Sequence, residues 1–219
     1  MKVLVTGNNG YVGTVLTEML LKKGYSVTGL DANYFESCTL EPVQQEIDQI
    51  VKDIREVNIN DMEGFDAVIH LAGLSNDPLC ELNAELTDEI NYHGTVNLAR
   101  LSKEAGIKRF VYASSQSMYG ISNTEDELDE DASEKNPVTA YARTKWEAEL
   151  ELKIMHSDRF IVSCFRPSTV FGASPRLRCD IVFNNLVACA YTTGKIEIKS
   201  DGTPWRPVVH VRDVSSAYI

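Results

Sequence analysis

A glycine-spaced turn near the N-terminus, between a short apolar strand and a helix, constrains this chain most. The strand Val3-Leu4-Val5 is followed by Thr6 and then by the spacing G-x-x-G-x-x-G. Gly7 permits a tight turn, Gly10 lets the backbone approach a phosphate because it has no Cβ, and Gly13 lets the helix pack closely on the strand. The N-terminus of that helix presents unpaired N–H groups to an anion. The pattern therefore predicts a pyrophosphate-binding turn.

An acidic residue ends the second apolar run. Asp31 follows Ser26-Val-Thr-Gly-Leu30 and lies 24 residues after Gly7. This is close to the spacing expected of a carboxylate that accepts hydrogen bonds from an adenosine ribose. The carboxylate would repel a 2′-phosphate, and no Lys or Arg follows before Phe35. We therefore expect NAD rather than NADP, the alternative being that Asp31 is simply a turn residue.

Apolar runs alternate with helical patterns along the chain. Short runs of Val, Ile and Leu separated by helices predict a doubly wound parallel sheet of the α/β class, Rossmann-like, with helices on both faces. We place the strands near residues 2–6, 26–31, 49–53, 66–71, 109–114 and 160–166. We place long helices near residues 11–23, 82–105 and 138–156.

The character of the sequence changes after Arg166. Residues 1–166 are predicted to form the dinucleotide-binding domain, and residues 167–219 the start of a smaller substrate lobe. In the lobe we expect a helix near 179–193 and short strands near 195–199 and 206–211. The chain stops just inside another predicted helix, so we expect this lobe to be truncated.

Charge and composition exclude several classes of partner. The chain has 21 Lys and Arg against 32 Asp and Glu, a net charge of −11, which disfavours nucleic acid because phosphate binding needs clustered cations. No apolar stretch approaches the roughly 20 residues of a membrane span. Residues 125–131 are strongly acidic and fit a solvated loop better than a metal site. The five cysteines are scattered and no signal peptide precedes the first strand, as expected of a cytoplasmic protein.

A tyrosine and a lysine share one face of a predicted helix. Tyr141 and Lys145 are four residues apart, so their side chains are neighbours. A free tyrosine has a pKa near 10, which makes it a poor base at neutral pH. A nearby ammonium and a positive nicotinamide would both favour the phenolate. The pair suits proton transfer coupled to hydride transfer, although on its own it could be a surface coincidence.

A strand that ends in hydroxyl residues precedes this pair. The run Phe110-Val-Tyr-Ala ends at Ser114 and Ser115. In a parallel sheet the carboxyl ends of the strands face the ligand crevice. Ser115 is therefore predicted to hydrogen-bond the substrate oxygen that Tyr141 protonates or deprotonates, the alternative being a polar strand terminus.

These motifs, in this order, resemble those of the NAD-dependent epimerase/dehydratase family of extended short-chain dehydrogenases/reductases, which includes UDP-galactose 4-epimerase-like nucleotide-sugar enzymes. The similarity runs from Met1 to Ile219. It implies NAD as cofactor and Ser115, Tyr141 and Lys145 as catalytic residues. It implies a cofactor site formed by Gly7, Asn9, Gly10, Tyr11, Val12, Gly13, Asp31, Asp53, Ile54, Leu71, Ala72, Gly73, Asn91, Ser114, Tyr141, Lys145, Phe165 and Pro167.

The resemblance also implies a nucleotide-sugar substrate, with a UDP-sugar favoured. Arg206 lies where the family contacts the diphosphate, and a guanidinium suits that task. Ser117, Arg176 and Asn185 are weaker candidates for the same pocket. Family members commonly dimerise through the helices expected near 82–105 and 138–156, so a homodimer is a further hypothesis. His70 and His210 lie in apolar strands and are expected to be structural.

The residues after Ser115 indicate the reaction. The resemblance implies that a dehydratase would carry an Asp-Glu pair there and a decarboxylase a Glu, whereas this chain has Gln116 and Ser117, which are not acids near pH 7. We therefore expect 4-epimerisation: oxidation at a sugar carbon, rotation of the keto intermediate, and return of the hydride to its other face. Two alternatives stay open: a net dehydrogenase of a nucleotide sugar or small alcohol, and a non-catalytic cofactor-binding fragment.

Overall fold

Six short strands form one parallel sheet at the centre of the molecule. They are β1 (Lys2–Thr6), β2 (Ser26–Asp31), β3 (Asp48–Val51), β4 (Ala67–His70), β5 (Arg109–Ala113) and β6 (Ile161–Phe165). Their order across the sheet is β3-β2-β1-β4-β5-β6, and every neighbouring pair is parallel. The predicted doubly wound sheet is confirmed.

The computed structural model of the chain describes residues 1–41, 46–121, 127–198, 201 and 207–219. Within these residues, no helix is both long enough and apolar enough to cross a bilayer.

The central strands bury both of their faces because successive side chains point to opposite sides of a strand. On β1, Leu4 packs in one core with Val68 and Phe110. Val3 and Val5 pack in the core on the other face. Each face is covered by helices, which explains why these strands are continuously apolar rather than alternating.

The helices largely follow the predicted pattern, with one exception. The structure contains α1 (Tyr11–Lys22), α2 (Asp77–Leu82), α3 (Ala84–Thr87), a π-helix (Asp88–Gly94), α4 (Thr95–Glu104), α5 (Ala140–Met155), α6 (Val182–Thr193) and α7 (Val211–Tyr218). The long helix expected at 82–105 is helical from Ala84 to Glu104 but includes the π-helical segment, and it begins at Ala84 because the side chain of Asn83 accepts a hydrogen bond from the N–H of Leu86 and caps its first turn.

The smaller lobe differs from the expectation in its strands. Its two strands, β7 (Thr169–Phe171) and β8 (Val208–His210), pair in parallel, and β7 was not predicted. The prediction of a strand at 195–199 is wrong for residues 195–198, which are exposed and form no strand. An isolated strand without a partner is not stable in water. The strand expected at 206–211 is shorter, since α7 begins at Val211.

The last helix, α7, packs on the large sheet. Val214 and Tyr218 of α7 lie in the same core as Val3 and Val5, and the rings of Tyr218 and Phe165 meet edge to face at 5.4 Å. Residues 211–218 therefore help to cover one face of the large sheet. The division of the chain at residues 166 and 167 stays a prediction.

The buried histidine of β4 makes the stability of the fold depend on pH. His70 is fully buried, and burial together with the charge of Lys145 lowers its pKa to about 3. Between this value and the ordinary pKa of about 6.5, the unfolded chain binds a proton that the folded chain does not. The free energy of unfolding therefore falls as the pH falls through that window.

We expect His70→Gln to remove this contribution. Moving from about pH 7 to about pH 4.5 should cost the native chain roughly 2 to 3 kcal/mol more than the variant. Urea unfolding of both proteins at the two pH values measures the difference. Equal losses in the two proteins would contradict this account.

Candidate active site

The glycine turn is shaped to receive an anion. A Cβ on Gly7, whose φ is +72°, would lie 2.8 Å from the amide nitrogen of Ala72, and a Cβ on Gly13 would lie 2.1 Å from the carbonyl oxygen of Gly7. A Cβ on Gly10 would meet that same oxygen at 3.1 Å, and among the described residues other than its chain neighbours no further heavy atom lies within 4 Å. Gly10 is also the N-cap residue of α1, which has no side-chain cap and no acid in its first turn. An open glycine at an uncapped helix N-terminus fits a diphosphate.

Asp31 lies at the carboxyl end of β2, directly beside this turn. Its carboxylate accepts hydrogen bonds from the backbone N–H of Asn9 (3.1 Å) and of Asn33 (2.9 Å). The side chain of Asn9 donates to that of Asn33 (2.7 Å), and Asn8 exchanges hydrogen bonds with Gln49 of β3. The network fixes the turn against two strands, and sequence reasoning missed its members Asn8 and Gln49. The position of Asp31 fits the ribose contact expected of it.

The predicted adenine-contacting pair is held by other residues of the chain. The carboxylate of Asp53 binds the guanidinium of Arg55 (2.8 Å) and the hydroxyl of Tyr34 (2.7 Å). Hydrogen bonding to Arg55 lowers the pKa of Asp53 to about 2. Ile54 is buried against Gly94 of the π-helix. Their contact with adenine stays a prediction.

A hydrogen-bond chain through His70 fixes the loop after β4. The hydroxyl of Thr95 donates to the carbonyl of Asn91 (2.7 Å), so it accepts from His70 Nε2 (2.8 Å). The other ring nitrogen of His70 therefore accepts from the hydroxyl of Thr6 (2.6 Å). That hydroxyl oxygen in turn accepts from the N–H of Ala72 (3.2 Å). His70 acts here through neighbouring groups, as a structural residue.

Asn91 holds the same loop from its other side. Its side chain accepts from the N–H of Leu74 and donates to the carbonyl of Leu74, each at 2.8 Å. A Cβ on Gly73 would lie 2.9 Å from the side-chain oxygen Oδ1 of Asn91 and 3.9 Å from Lys145 Nζ. The π-helix therefore brings Asn91 and the loop 71–74 next to the predicted catalytic lysine, a common use of this irregular geometry.

Helix α5 carries Tyr141 and Lys145 into the site. Thr139 caps this helix, and Glu81 of α2 accepts from the N–H of Ala140 (2.7 Å). Lys145 is buried, donates to the carbonyl of Ala113 (2.8 Å), and has its ammonium 6.0 Å from the centre of the Tyr141 ring. Burial lowers the pKa of Lys145 to about 8.

The three predicted catalytic residues meet at the carboxyl end of β5. Burial raises the pKa of Tyr141, while a hydrogen bond with Ser115 and the charge of Arg178 act in the opposite direction. Ser115 also donates to the hydroxyl of Ser117 (3.1 Å). A phenol, a hydroxyl and an ammonium in this arrangement can move a proton to or from a substrate oxygen.

Sequence reasoning missed Arg178 and Asn184, which join the smaller lobe to this site. Arg178 donates to the hydroxyl of Ser75 (2.9 Å), just beyond the loop that Asn91 holds. Asn184 donates to the carbonyl of Arg178 (3.0 Å) and to the Tyr11 hydroxyl (3.2 Å), which itself donates to the carbonyl of Gly172 (2.8 Å). Some of these partners are more than 160 residues apart in the chain, so no local pattern indicates them.

The predicted substrate residues are dispersed. Ser117 lies beside Ser115, whereas the Arg176 guanidinium lies over the ring of Phe35 at 5.0 Å. Asn185 donates to the carbonyl of Cys179 (3.0 Å). Arg206 lies outside the described residues. Their roles toward a substrate stay predictions.

The remaining predicted cofactor residues make contacts within the protein. Tyr11 and Val12 pack at the start of α1, in the apolar cluster around Val211. Phe165 packs on Tyr218, and the carbonyl of Pro167 accepts from the N–H of Gln116 (3.3 Å). The hydroxyl of Ser114 donates to Glu149 (2.7 Å). Their contact with a cofactor stays a prediction.

Comparison with known proteins places these features in one family. The model of the "NAD dependent epimerase/dehydratase family" matches residues 3–219. A UDP-glucuronate 4-epimerase of Thermodesulfobacterium geofontis is 29% identical and aligns with 99% of this chain and 70% of its own length. A dTDP-D-glucose 4,6-dehydratase of Mus musculus is 29% identical, with 100% of this chain and 63% of its own length aligned.

A solved structure gives the same result. MoeE5 in complex with UDP-glucose and NAD is 30% identical, with a TM-score of 0.80 over 100% of this chain and 70% of that one. The chain thus spans about two thirds of the length of these relatives, which include an epimerase and a dehydratase. The family model matches nearly all residues of this chain. The chain therefore belongs to the NAD-dependent epimerase/dehydratase family.

Proposed function

We propose that the chain is an NAD-dependent nucleotide-sugar 4-epimerase that acts on a UDP-sugar. One observation carries the choice among the reactions of the family: Gln116 and Ser117 follow Ser115 and are not acids. Ser117 is hydrogen-bonded to Ser115 itself. Epimerisation needs one proton to leave and return, whereas loss of water needs an additional acid and base.

The contacts of Asp77 and Glu81, the acidic residues of α2, support this proposal. Asp77 accepts from the hydroxyl of Thr139 (2.9 Å), and Glu81 accepts from the N–H of Ala140. Both carboxylates therefore stabilise the start of α5, where a negative charge is favourable. Because both carboxylates are engaged at the start of α5, we assign proton transfer to Tyr141.

The proposed mechanism gives each catalytic residue one task. Bound NAD would accept a hydride from the sugar and return it. Tyr141 removes the proton of the sugar hydroxyl and later gives it back. Ser115 donates a hydrogen bond to the same oxygen and steadies the charge that develops there. Lys145 places a positive charge close to the phenol, which stabilises the phenolate.

The cofactor turn of the proposed enzyme fits NAD by its shape and charge. The open backbone at Gly10 and the start of α1 would hold the diphosphate, and Asp31 would hold the adenosine ribose. Leu71, Ala72 and Gly73 would flank the nicotinamide side, because Asn91 fixes this loop beside Lys145.

The test of the proposed function is product analysis with the purified chain. UDP-glucose, UDP-galactose and UDP-glucuronate are each incubated with the NAD-loaded protein, and products are separated by chromatography. We expect interconversion of 4-epimers with no net change in nicotinamide absorbance. Stoichiometric NADH would indicate a dehydrogenase, a 4-keto-6-deoxy sugar would indicate a dehydratase, and NAD binding without turnover would contradict catalysis by this chain.

Tyr141→Phe should abolish turnover while NAD binding is retained. The substitution removes the proton-transferring hydroxyl, and loss of a general acid or base typically lowers kcat by roughly 10²- to 10⁴-fold. Product formation and NAD affinity by calorimetry check the two halves of the prediction. Retained activity would remove Tyr141 from the mechanism.

Two glycine variants should separate cofactor binding from folding. Gly10→Ala places a methyl group where only one atom is near, so we expect the chain to fold but to lose NAD affinity. Gly13→Ala places it 2.1 Å from a backbone oxygen, and such overpacking costs about 1 to 3 kcal/mol or more. Thermal unfolding and NAD titration of both variants make the comparison. An unstable Gly10→Ala variant or a stable Gly13→Ala variant would be the unexpected result.

A further inference from the structure

Two charged side chains are buried one helical turn apart on α5. Among the Lys, Arg, Asp and Glu residues that the structure describes, Lys145 (5% exposed) and Glu149 (1%) are the buried ones. A buried charge is unfavourable unless it is paired and hydrogen-bonded. Lys145 has a task in the proposed reaction, whereas Glu149 lies too deep to meet a substrate. The position of Glu149 therefore calls for another explanation.

Glu149 joins the ends of two neighbouring strands. Its carboxylate accepts from the hydroxyl of Ser114, at the end of β5 (2.7 Å). It also binds the guanidinium of Arg166, at the end of β6, through two nitrogens at 2.5 and 3.1 Å. Burial raises the pKa of Glu149, but the hydrogen bonds from Arg166 and Ser114 outweigh this effect and lower it. Glu149 is therefore ionised in the folded chain.

Helix α5 consequently holds two consecutive residues before the catalytic serine. Lys145 binds the carbonyl of Ala113 at 2.8 Å, and Glu149 binds the side chain of Ser114. Ser115 is the next residue. Since Tyr141 lies on the same helix, α5 sets the positions of both groups that would contact the substrate oxygen.

Arg166 holds the other end of the same segment. Its guanidinium donates to the hydroxyl of Tyr119 (2.6 Å), the last residue of the short 3₁₀-helix Gln116–Tyr119 that Ser115 caps. The adjacent carbonyl of Pro167 accepts from the N–H of Gln116 (3.3 Å). The pair formed by Glu149 and Arg166 thus fixes residues 114–119, which include Ser115, at both ends.

We propose that Glu149 is a positioning residue that holds the hydroxyl of Ser115 in hydrogen-bonding contact with Tyr141. It acts through Ser114 directly and through Arg166 at Tyr119. The inference rests on the proposed function for its effect on turnover. The geometry it describes can be tested without turnover.

The experiment compares two double variants that both lack the buried charges. Glu149→Gln with Arg166→Met keeps an oxygen that accepts from Ser114, whereas Glu149→Leu with Arg166→Met removes it. Neither double variant leaves an unpaired buried charge. Both therefore avoid the large loss of stability that follows when only one member of a buried ion pair is removed. Ser114→Ala is the third variant; it leaves the ion pair intact, so it serves if the leucine variant does not fold. Glu147→Gln is the matched control, at a half-buried position of α5 whose carboxylate pairs with Arg143 rather than with the strand ends.

Three readouts are taken on the NAD-loaded proteins: NAD affinity, kcat and KM with a UDP-sugar, and the pKa of Tyr141. The pKa comes from the phenolate absorbance difference between each protein and its Tyr141→Phe counterpart. We expect the leucine variant and Ser114→Ala to lower kcat roughly ten- to hundredfold with little change in KM or NAD affinity, since small misplacements have effects of this size. Their Tyr141 pKa should rise, because the hydrogen bond with Ser115, which lowers this pKa, is weakened. The glutamine variant keeps the contact with Ser114 but loses that of Arg166 with Tyr119, so its kcat and its Tyr141 pKa should lie between those of the native chain and the leucine variant.

Equal kcat and equal Tyr141 pKa in the leucine and glutamine variants would overturn the proposal, as would native behaviour of Ser114→Ala. If the native chain turns over no UDP-sugar, the proposed function fails but the titration still decides the positioning role. A rise in the pKa without turnover would support the positioning role alone.

Discussion

The parallel pairing of six strands is the constraint on which the rest of this structure depends. In a parallel sheet all carboxyl ends lie at one edge, so residues distant in sequence follow their strands into the same crevice. The register places Thr6 level with His70, and His70 level with Tyr112. The glycine turn, the loop after β4 and Ser115 therefore share one edge, although more than 100 residues separate the first from the last.

Most polar groups buried near this edge are hydrogen-bonded to one another, although among the described residues the hydroxyl of Tyr112, on β5 beside His70, has no hydrogen-bond partner. The hydrogen-bond chain from Ala72 to Asn91 runs through His70, which remains neutral, so it fixes the loop without burying a charge. The charges of Lys145 and Glu149 are each placed against a partner from the end of β5. An unpaired polar group in this interior would be far more costly.

The large sheet and the catalytic cluster could be predicted from the sequence because their signals are local. Apolar runs mark the strands, and the spacing of Tyr141 and Lys145 marks one face of a helix. Arg178 and Asn184 gave no such signal, since their partners come from the other end of the chain. Glu149 continues the spacing of Tyr141 and Lys145 by one more turn, so the sequence held a cue to it. The smaller lobe was predicted poorly because its short strands depend on each other rather than on a strong local pattern.

The packing of α7 on the first domain has a consequence for how the chain reaches its native state. Val3 and Val5 are synthesised more than 200 residues before Val214 and Tyr218, yet all four lie in one core. That face of the sheet cannot be fully closed until more than 200 residues have left the ribosome. Contacts of such large sequence separation slow folding and leave apolar surface exposed in the meantime. During synthesis, the nascent N-terminal half should therefore be a client for chaperones that recognise exposed valine-rich strands.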